Sequence, residues 1–401
     1  MSKLKELIDR LCPDGVEFLP LKNIAVIKNG KDYKHCGPGD IPVYGSGGIM
    51  TYIDHFCYDK PTVLLPRKGS IGKIYYIETP FWNVDTVYYT DINTTKICPK
   101  FLYYFLSTID LEKMNCGKGA VPSLTQEILY RITIPVPPIE VQEEIVKILD
   151  RFADYAAELQ AELQARKEQY EYYRNLLLTF NPSACGCGTD GEQEIKVTTW
   201  GGHSYEITWK TMGEICRNIC SGGTPLTTNK SYYNGNIPWL RTQEVDWKEV
   251  YDTAIKITED AIKNSSAKLV PANCVIIAMY GATAAKCCIN KIPLTTNQAC
   301  CNLEIDAAIA DYRYVYHWIC KEYTTLKALG EGSQSNISGA KIKNYRIPIP
   351  PIELQEKIVA ILDRFETLVN DLTEGLPAEI AAVKERYEYY RNRLLTFKRI
   401  A

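Results

Sequence analysis

The sequence IPVPPIEVQEEIVKILDRF occupies residues 134–152, and IPIPPIELQEKIVAILDRF occupies residues 347–365. Fifteen of these nineteen positions are identical, at an offset of 213 residues. A second pair follows, because YEYYRNLLLTF at 170–180 returns as YEYYRNRLLTF at 387–397, where ten of eleven positions match and the offset is 217. The chain is therefore internally duplicated. The difference between the two offsets places four additional residues in the second copy, near Gly375-Leu376-Pro377.

Both repeated segments have the pattern of long helices. Their apolar residues recur in steps of three and four, the heptad spacing of a coiled-coil seam. Pro137-Pro138 and Pro350-Pro351 stand at the helix starts, where a missing N–H is harmless. Each helical stretch covers roughly 40 residues, or about 60 Å if straight, and the second should break at Gly375–Pro377. The matching seams predict that the helices pair with each other through Ile145, Leu149, Phe152, Tyr170, Tyr173 and Leu177 in the first copy and Ile358, Leu362, Phe365, Tyr387, Tyr390 and Leu394 in the second.

The regions before the two helices match only weakly. PTVLLPRKGSIGKIYYI (61–77) is similar to NCVIIAMYGATAAKCCI (273–289), and GKGAVPSL (117–124) to GEGSQSNI (330–337). They indicate short β-strands joined by loops that contain Gly and Ser, with helical patches near 101–114 and 311–327. We predict an α+β fold in which an α/β unit and a long helix occur twice, separated by a linker over 181–203.

Signatures of catalysis and of metal binding are missing from the sequence. No G-x-x-x-x-G-K-[ST] phosphate loop occurs. The four histidines lie far apart and form no ligand pair. Cys185 and Cys187 lack the two further ligands that a zinc site needs, so no metal is predicted. The longest apolar runs fall far short of the roughly 20 residues of a membrane span, and the charged N-terminus does not resemble a signal peptide. We therefore expect a cytoplasmic location.

Both globular regions are mildly basic and contain polar loops suited to nucleic acid. Residues 20–131 carry 13 Lys/Arg against 10 Asp/Glu, and residues 205–346 carry 16 against 13. Glycine allows a backbone N–H to approach a phosphate, and Arg, Gln, Asn and Ser suit base edges. The candidate DNA contacts are Lys31, Lys34, Tyr44, Ser46, Arg67, Lys68, Ser70, Lys73 and Lys118 in the first region and Thr224, Lys230, Tyr232, Arg241, Thr242, Gln243, Tyr280, Thr283, Lys286, Gln334 and Asn336 in the second. For any single side chain, an ordinary polar surface residue is the simpler interpretation.

The doubled IPxPPIExQE-IVxILDRF and YEYYRNxLLTF motifs, with IPWLRTQEV at 237–245, resemble the specificity (S) subunit of type I restriction–modification enzymes. The resemblance covers nearly the whole chain. It implies two target recognition domains and two conserved helices that form an antiparallel coiled coil with pseudo-twofold symmetry. The corresponding division is 1–133 for the N-terminal helix and first recognition domain, 134–180 for the first helical spacer, 181–203 for the linker, 204–346 for the second recognition domain and 347–401 for the second spacer.

The resemblance also implies a function and partners. Each recognition domain would recognise one half of a bipartite, asymmetric site in double-stranded DNA, and the helices would bind two methyltransferase subunits. The chain itself would be non-catalytic and bind no cofactor. The methyltransferase subunits would use S-adenosylmethionine to methylate adenine, and restriction subunits would use ATP and Mg²⁺. Three alternatives remain: a self-sufficient fused enzyme, a structural or regulatory DNA-binding protein without enzyme partners, and a silent donor copy of recognition domains.

Overall fold

The computed structural model describes residues 2–114, 123–180, 195–200, 202–331, 336–371 and 373–400, and these divide into two compact units. Unit 1 comprises residues 1–161 and 378–401, and unit 2 comprises residues 162–377. Each unit thus joins a globular part from one half of the chain to helical residues from the other half. Within the described ranges, none of the helices combines the length and the apolar character that a membrane crossing requires.

The elements follow the predicted order of strands, short helices and a long helix, twice over. Through the first helical repeat they are α1 (Ser2–Leu11), β1 (Glu17–Pro20), β2 (Ala25–Asn29), β3 (Pro38–Gly45), β4 (Gly48–Ile53), β5 (Thr62–Pro66), β6 (Tyr75–Ile77), β7 (Trp82–Asn83), β8 (Val87–Ile92), α2 (Pro99–Leu106), α3 (Gln126–Tyr130), β9 (Thr133–Val136) and α4 (Ile139–Leu177).

The second half begins with a hairpin and ends with two helices. Its elements are β10 (Ile195–Trp200), β11 (His203–Thr211), α5 (Met212–Ile215), β12 (Cys216–Ser221), β13 (Ile237–Leu240), β14 (Glu249–Val250), β15 (Lys256–Ile257), α6 (Glu259–Lys263), β16 (Leu269–Val270), β17 (Val275–Ala278), β18 (Cys287–Asn290), β19 (Leu294–Thr296), β20 (Cys300–Ile305), α7 (Tyr312–Lys321), α8 (Tyr323–Ala328), α9 (Gly339–Lys343), β21 (Arg346–Ile349), α10 (Ile352–Asn370) and α11 (Leu376–Leu394).

Unit 1 contains a four-stranded sheet in the order β2-β8-β5-β6 and a three-stranded sheet in the order β4-β3-β7. Strand β5 (TVLLP) is buried at every position, as an uninterrupted apolar run in a central strand should be. In the smaller sheet, β3 pairs antiparallel with β4 and parallel with β7. Strand β1 pairs with β9, so the start of the globular part lies beside the strand that leads into α4.

Unit 2 repeats this topology. Its larger sheet has the order β12-β20-β17-β18-β14, in which the fully buried β17 (VIIA) takes the place of β5. Strand β13 pairs parallel with β19 as β3 does with β7, and β11 pairs with β21 as β1 does with β9. The units differ after the first strand of the smaller sheet, because β3 continues into the β4 hairpin whereas β13 continues into a 3₁₀ helix, Thr242–Glu244. The two α/β units are therefore two versions of one scaffold.

The repeated motifs form helices, and the second copy breaks where the sequence predicts. α4 is continuous, whereas the same stretch of the second copy is divided into α10 and α11. Gly375 lies in the break and is buried. A Cβ atom on Gly375 would lie 2.5 Å from the carbonyl oxygen of Thr367, so the tight turn requires a residue without a side chain. We call α4, α10 and α11 the spacer helices.

The predicted pairing of the helices is confirmed, and it is reciprocal. In unit 1, Phe152 of α4 stacks on Tyr390 of α11, with ring centroids 5.4 Å apart and an interplanar angle of 25°. In unit 2, Phe365 of α10 stacks on Tyr173 of α4 at 5.4 Å and 22°. The ILDRF segment of each copy thus contacts the YEYYRN segment of the other copy. The prediction that the motif tyrosines lie on the helical seam is confirmed for Tyr170, which is 8% exposed.

The seam residues pack more broadly than a two-helix seam requires. Ile145 and Leu149 are fully buried in the core of unit 1 together with α2, and Ile358 and Leu362 occupy the same position in unit 2 together with α7. Toward the end of α4 the buried position shifts from the predicted Leu177, which is half-buried, to Leu178. The shift follows because a 3.6-residue helix drifts away from a 3.5-residue repeat. In the second copy, both Leu394 and Leu395 are buried, and Tyr387 packs beside them.

A buried glutamine joins the first turn of α4 to the globular part of unit 1. Gln142 is fully buried, and its Nε2 donates to the carbonyl oxygens of Pro137 at 2.7 Å and Lys96 at 3.0 Å. Its Oε1 accepts from the backbone N–H of Cys98 at 2.7 Å, immediately before α2 begins. All hydrogen-bonding groups of the amide are thus used inside the protein, as burial demands.

The second copy forms the same joint. Gln355 is fully buried, and its Nε2 donates to the carbonyl oxygens of Pro350 at 2.8 Å and Ile309 at 3.3 Å. Its Oε1 accepts from the N–H of Asp311 at 2.9 Å, immediately before α7 begins. The glutamine of the doubled QE motif therefore anchors α4 and α10, each to the segment that precedes the main helix of its own α/β unit.

The aspartate of the ILDRF motif makes a second contact with the same helix in unit 1. Asp150 accepts from Lys100 at 2.9 Å and from the Tyr104 hydroxyl at 2.5 Å, both on α2. Burial, followed by the hydrogen bond to Asp150, raises the pKa of Tyr104, so the phenol stays protonated and donates.

In unit 2 the equivalent aspartate belongs to a larger ionic network. Asp363 pairs with Arg313 and with His317, each at 2.7 Å. Arg313 also binds Glu249 at 2.6 Å and Glu366 at 2.7 Å. Burial alone would raise the pKa of the Asp363 carboxyl, but the hydrogen bond from His317 and the charge of Arg313 outweigh burial and hold this pKa below its usual value.

We predict that Gln142→Leu and Gln355→Leu each lower the free energy of unfolding by about 2–4 kcal/mol, because each leaves a backbone N–H and two carbonyl groups without their buried partner. The loss should be similar for the two variants and should be measured by urea denaturation. As a matched control, Gln164→Leu on the exposed surface of α4 should change the free energy by less than about 0.5 kcal/mol. If Gln164→Leu and Gln142→Leu lowered the free energy of unfolding equally, Gln142 would not have the stabilising role that we assign to it.

We predict that unit 2 loses stability in acid through Asp363. Because its folded pKa is lowered, the carboxylate contributes stability above the unfolded pKa of about 3.9, and this contribution is lost as pH falls through the folded value. Asp363→Asn should reduce the free energy of unfolding by about 2 kcal/mol at pH 7, and the difference from wild type should narrow below about pH 4. Denaturation curves from pH 7 to 3 test this, with Glu356→Gln on the exposed surface of α10 as control. If the difference in free energy of unfolding between wild type and Asp363→Asn did not change with pH, the Asp363 carboxylate would not be the source of the acid sensitivity.

Candidate nucleic-acid interface and spacer helices

In unit 1 a short backbone segment gathers the polar loops on one edge. This segment, residues 83–86, we call the loop platform of unit 1. Its hydrogen bonds to the loops run from Lys31 N–H to the Asn83 carbonyl at 2.8 Å, from Val84 N–H to the Tyr44 carbonyl at 3.0 Å, and from Arg67 N–H to the Thr86 carbonyl at 2.9 Å. Three loops that are distant in sequence therefore meet at the platform.

Unit 2 has the same platform at residues 296–299, at the 213-residue offset. Its hydrogen bonds run from Gly223 N–H to the Thr296 carbonyl at 2.8 Å, from Asn297 N–H to the Leu240 carbonyl at 3.0 Å, and from Met279 N–H to the Ala299 carbonyl at 2.8 Å. The backbone arrangement is preserved although nearly every side chain differs. The scaffold therefore presents two different loop surfaces in one way.

The loop that follows the central strand, β5 or β17, has the same backbone turn in both units but presents different side chains. Gly69 in unit 1 and Gly281 in unit 2 both have φ of +78°, a left-handed conformation that favours glycine. The residue immediately before each glycine is exposed, and it is Lys68 in unit 1 and Tyr280 in unit 2. The same turn therefore presents a cation in one unit and an aromatic hydroxyl in the other.

The described candidates of unit 1 form one surface, which we call recognition surface 1. Lys31, Lys34, Lys68, Ser70 and Lys73 are exposed. No ion pair within the described ranges involves any of these four lysines or Arg67. The remaining members are the half-buried Tyr44, Ser46 and Arg67, and Lys118 lies outside the described residues.

A cleft of about 740 Å³ runs along recognition surface 1 between Lys34, Ser46 and the platform. Gly69 lies against Ser46, because a Cβ on Gly69 would be 3.0 Å from the serine hydroxyl. The Arg67 guanidinium lies 5.3 Å from the centre of the Tyr88 ring, which orients it while leaving its donors available. Unpaired cations, hydroxyls and glycine backbone at one edge are the groups that bind phosphates and base edges.

We call the described candidates of unit 2 recognition surface 2, and two of its three cations are paired with carboxylates. Arg241 lies 3.6 Å from Glu244, and Lys286 lies 2.6 Å from Asp246. Lys230, Gln243, Tyr280 and Asn336 are exposed, and the half-buried members are Thr224, Tyr232, Arg241, Thr283 and Lys286. Surface 2 therefore offers mainly uncharged hydrogen-bonding groups.

Several candidates of unit 2 are less suited to DNA than the sequence indicates. Thr242 is only 9% exposed, because it begins the 3₁₀ helix after β13 and turns inward. Tyr232 packs against a small core around Trp239. Asn336 is tied by paired backbone hydrogen bonds to Glu331, and Gln334 lies outside the described residues.

The platform adds a residue that the sequence analysis missed. Gln298 is exposed, and its Oε1 accepts from the Thr224 hydroxyl, so the two side chains present one polar group. A glutamine amide suits an adenine edge. The only sequence signal was the 213-residue offset, which aligns TNQA (296–299) with NVDT (83–86), and these tetrapeptides share no residue at any position.

Two clusters of the described residues have the composition of metal ligands, namely His317-Asp363-Glu366 and Cys36-Asp54-His55. The first lies in the ionic network of unit 2, where Arg313 binds both carboxylates and the Tyr316 hydroxyl donates to Glu366 at 2.7 Å. A structural ion-pair network accounts for it. Cys185 and Cys187 lie outside the described residues.

The chain thus contains one α/β scaffold twice, with different loops and the same joint to a repeated helix, which is the architecture of a duplicated, two-part binding protein. A family model for the type I restriction modification DNA specificity domain matches residues 13–168 and again 206–382. The specificity subunit of the type I restriction enzyme EcoR124I/EcoR124II from Escherichia coli is 31% identical over 99% of this chain and 97% of its own length.

Solved structures show the same fold. The S subunit of a type I restriction–modification system from M. genitalium matches with a TM-score of 0.58 and 15% identity, over 95% of this chain and 96% of that one. A chain from a structural study of type I complex assembly matches with a TM-score of 0.59 and 15% identity, over 96% and 98%. The protein belongs to the family of type I restriction–modification specificity subunits. It is the DNA-specificity subunit of such a system, and this subunit is the non-catalytic part of a complex that binds DNA.

Proposed function

We propose that recognition surfaces 1 and 2 each recognise one half of a bipartite, asymmetric site in double-stranded DNA, and that the spacer helices hold the two halves of the recognition machinery at a fixed separation. The observation that carries the proposal is the pair of platforms, which hold different loops through the same backbone hydrogen bonds. One scaffold used twice accounts for two half-sites, and divergent loops account for their different sequences. The proposed domains are the N-terminal helix with the first recognition domain (1–133), the first helical spacer (134–180), the linker (181–203), the second recognition domain (204–346) and the second helical spacer (347–401).

The partners in this proposal are two methyltransferase subunits, one for each copy of the helical motif, and restriction subunits in the full complex. The chain binds no cofactor itself. The methyltransferase subunits use S-adenosylmethionine, and the restriction subunits use ATP and Mg²⁺. The complex acts in the cytoplasm.

The exposed residues of the repeats support two identical docking surfaces. Buried identities such as Gln142 and Gln355 are explained by packing, but several identical positions are exposed in both copies. These pairs are Glu143 and Glu356, Arg151 and Arg364, Glu171 and Glu388, Tyr172 and Tyr389, and Asn175 and Asn392. Other exposed or half-buried positions of the same helices differ, for example Leu176 and Arg393. If two copies of one partner bind the two repeats, the residues that they contact should be identical in both repeats, whereas the other exposed residues are free to differ.

The direct test is a map of adenine methylation. The chain is co-expressed with its methyltransferase subunit in a host that lacks adenine methylation, and N6-methyladenine is located by sequencing. The proposal predicts one bipartite, asymmetric motif with a fixed gap. A single uninterrupted motif, or no new methylation from an assembled complex, would overturn it.

We predict that Tyr172→Ala or Tyr389→Ala each weakens the binding of one methyltransferase subunit at least tenfold, because these side chains are 62% and 57% exposed aromatic groups at the repeated surface. Native mass spectrometry at fixed concentration should show complexes with one methyltransferase subunit instead of two. Leu176→Ala is the matched control, since Leu176 is 55% exposed on the same helix but is not repeated. Retention of two subunits in both tyrosine variants would exclude this surface.

We predict that the triple variant Arg67→Ala, Lys68→Ala, Lys73→Ala weakens recognition of one half-site only. Loss of each phosphate contact should reduce the slope of log affinity against log salt by about 1. The measurement is binding of the assembled complex to its duplex at several salt concentrations, with substitutions in each half-site. Lys113→Ala is the control, because Lys113 is exposed in unit 1 but paired with Asp110 at 2.8 Å. Equal weakening of both half-sites would contradict the assignment.

A further inference from the structure

The hairpin β3–β4 of unit 1 carries a group of exposed apolar side chains that neither the core nor the platform explains. Its strands pair antiparallel and are joined by the two-residue turn Ser46-Gly47. Strand β4 is an edge strand, because the sheet order is β4-β3-β7. Along β4, Ile49 is 49% exposed, Met50 is 57% exposed and Tyr52 is 53% exposed. An exposed apolar edge strand is a liability that proteins retain when it binds something.

The surroundings of the hairpin tip favour DNA as the occupant. Ile49 and Met50 line the cleft of recognition surface 1 together with Lys34, Ser46 and the glycines at positions 45, 47 and 48. The adjoining loop contributes Lys68 and the oriented Arg67, so the apolar tip is bordered by cations without ion-pair partners among the described residues. DNA supplies both the phosphates that such cations bind and, in its grooves, base edges for the apolar tip.

The interior of the cleft favours a base edge over the phosphate backbone. Asp32 and Asp85 line it beside the apolar residues, and their carboxylates repel phosphate. The major groove of B-DNA admits a two-stranded β-ribbon, and its one apolar feature is the C5-methyl group of thymine. Carboxylates in the same place accept hydrogen bonds from the exocyclic amine of cytosine.

We propose that the β3–β4 ribbon enters the major groove and that Ile49 and Met50 recognise a thymine methyl group in the half-site of unit 1. This inference rests on the proposed function and adds to it the residues and the base. In unit 2 the place of β4 is taken by the two-residue strand β15, which the chain reaches only after the 3₁₀ helix Thr242–Glu244. Ile257, the apolar residue of β15, is fully buried, so this part of unit 2 as described presents no exposed apolar hairpin. The apolar recognition of thymine therefore belongs to one half-site, which makes the two halves chemically different.

The test disrupts the proposed contact from both sides, by removing the methyl group from the DNA and by truncating the apolar side chain of the protein. The half-site of unit 1 is identified as the one weakened by the Arg67, Lys68 and Lys73 substitutions. Each thymine in that half-site is then replaced by uracil, and affinity is measured with the assembled methyltransferase complex. One position should weaken binding of the wild-type complex about fourfold, the value expected for one buried methyl group. Met50→Ala or Ile49→Ala should bind the thymine duplex more weakly and lose the preference for thymine over uracil.

Both side chains are exposed, so these substitutions leave the core intact, and Leu226→Ala in unit 2 is the control for removing a 63% exposed apolar side chain. The proposal is overturned if the half-site contains no A·T pair, if uracil is tolerated everywhere, or if Met50→Ala and Ile49→Ala retain the full thymine preference. It is also overturned if the variants lose methyltransferase binding while the remaining complex recognises DNA normally, since the patch would then bind protein. If the wild-type complex methylates no bipartite motif, the proposed function itself fails.

Discussion

The structure depends on the contact between the ILDRF segment of one repeat and the YEYYRN segment of the other. This contact occurs once in each unit, as Phe152 on Tyr390 and as Phe365 on Tyr173. These residues pack against cores that include helical residues from both halves of the chain. The core of unit 1 contains both Ile145 and Leu394, and the core of unit 2 contains both Leu178 and Ile358. A unit that needs a helix from the other half of the chain cannot be completed by its own half. This requirement explains why the helical motifs remain nearly identical while the loops do not.

The buried glutamines and the motif aspartates connect the paired helices to the α/β units that carry the recognition surfaces. α4 and α10 are each held at the first turn by a glutamine and two turns later by an aspartate, and both residues contact the main helix of the α/β unit or the segment before it. That helix packs on the central sheet, whose strand β5 or β17 leads directly into a loop held by the platform. The side chains that complete the joint differ between units, Lys100 and Tyr104 in one and Arg313 and His317 in the other, yet the acceptors are the same. The joint therefore tolerates different recognition domains provided that they present two donors to the aspartate.

The sequence predicted the fold better than the site, and the reason is physical. Heptad spacing, the duplicated motif and the glycine-proline break specify helices and their pairing, because long periodic segments constrain packing strongly. The fine position of the seam was less predictable, as Leu178 shows, because helical drift accumulates over 39 residues. The recognition surfaces depend on which loops the platform brings together, and backbone hydrogen bonds to residues such as Asn297 leave no trace in the side-chain pattern. Composition therefore selected loops of unit 1 that meet at one platform, but it could not separate the buried Thr242 from its exposed neighbour Gln243, or reveal Gln298.

Because the two joints are equivalent, we expect the recognition surfaces that they carry to be interchangeable. The most direct measurement is the methylation map of a chain in which residues 208–346 are replaced by a second copy of residues 17–133, joined at the equivalent strands β11 and β21. If the joints are equivalent, the methylated DNA site should carry the sequence recognised by unit 1 in both halves, and the gap between the halves should equal that of the parent site. An assembled complex that keeps the original asymmetric site, or that methylates the new halves at an altered gap, would contradict it.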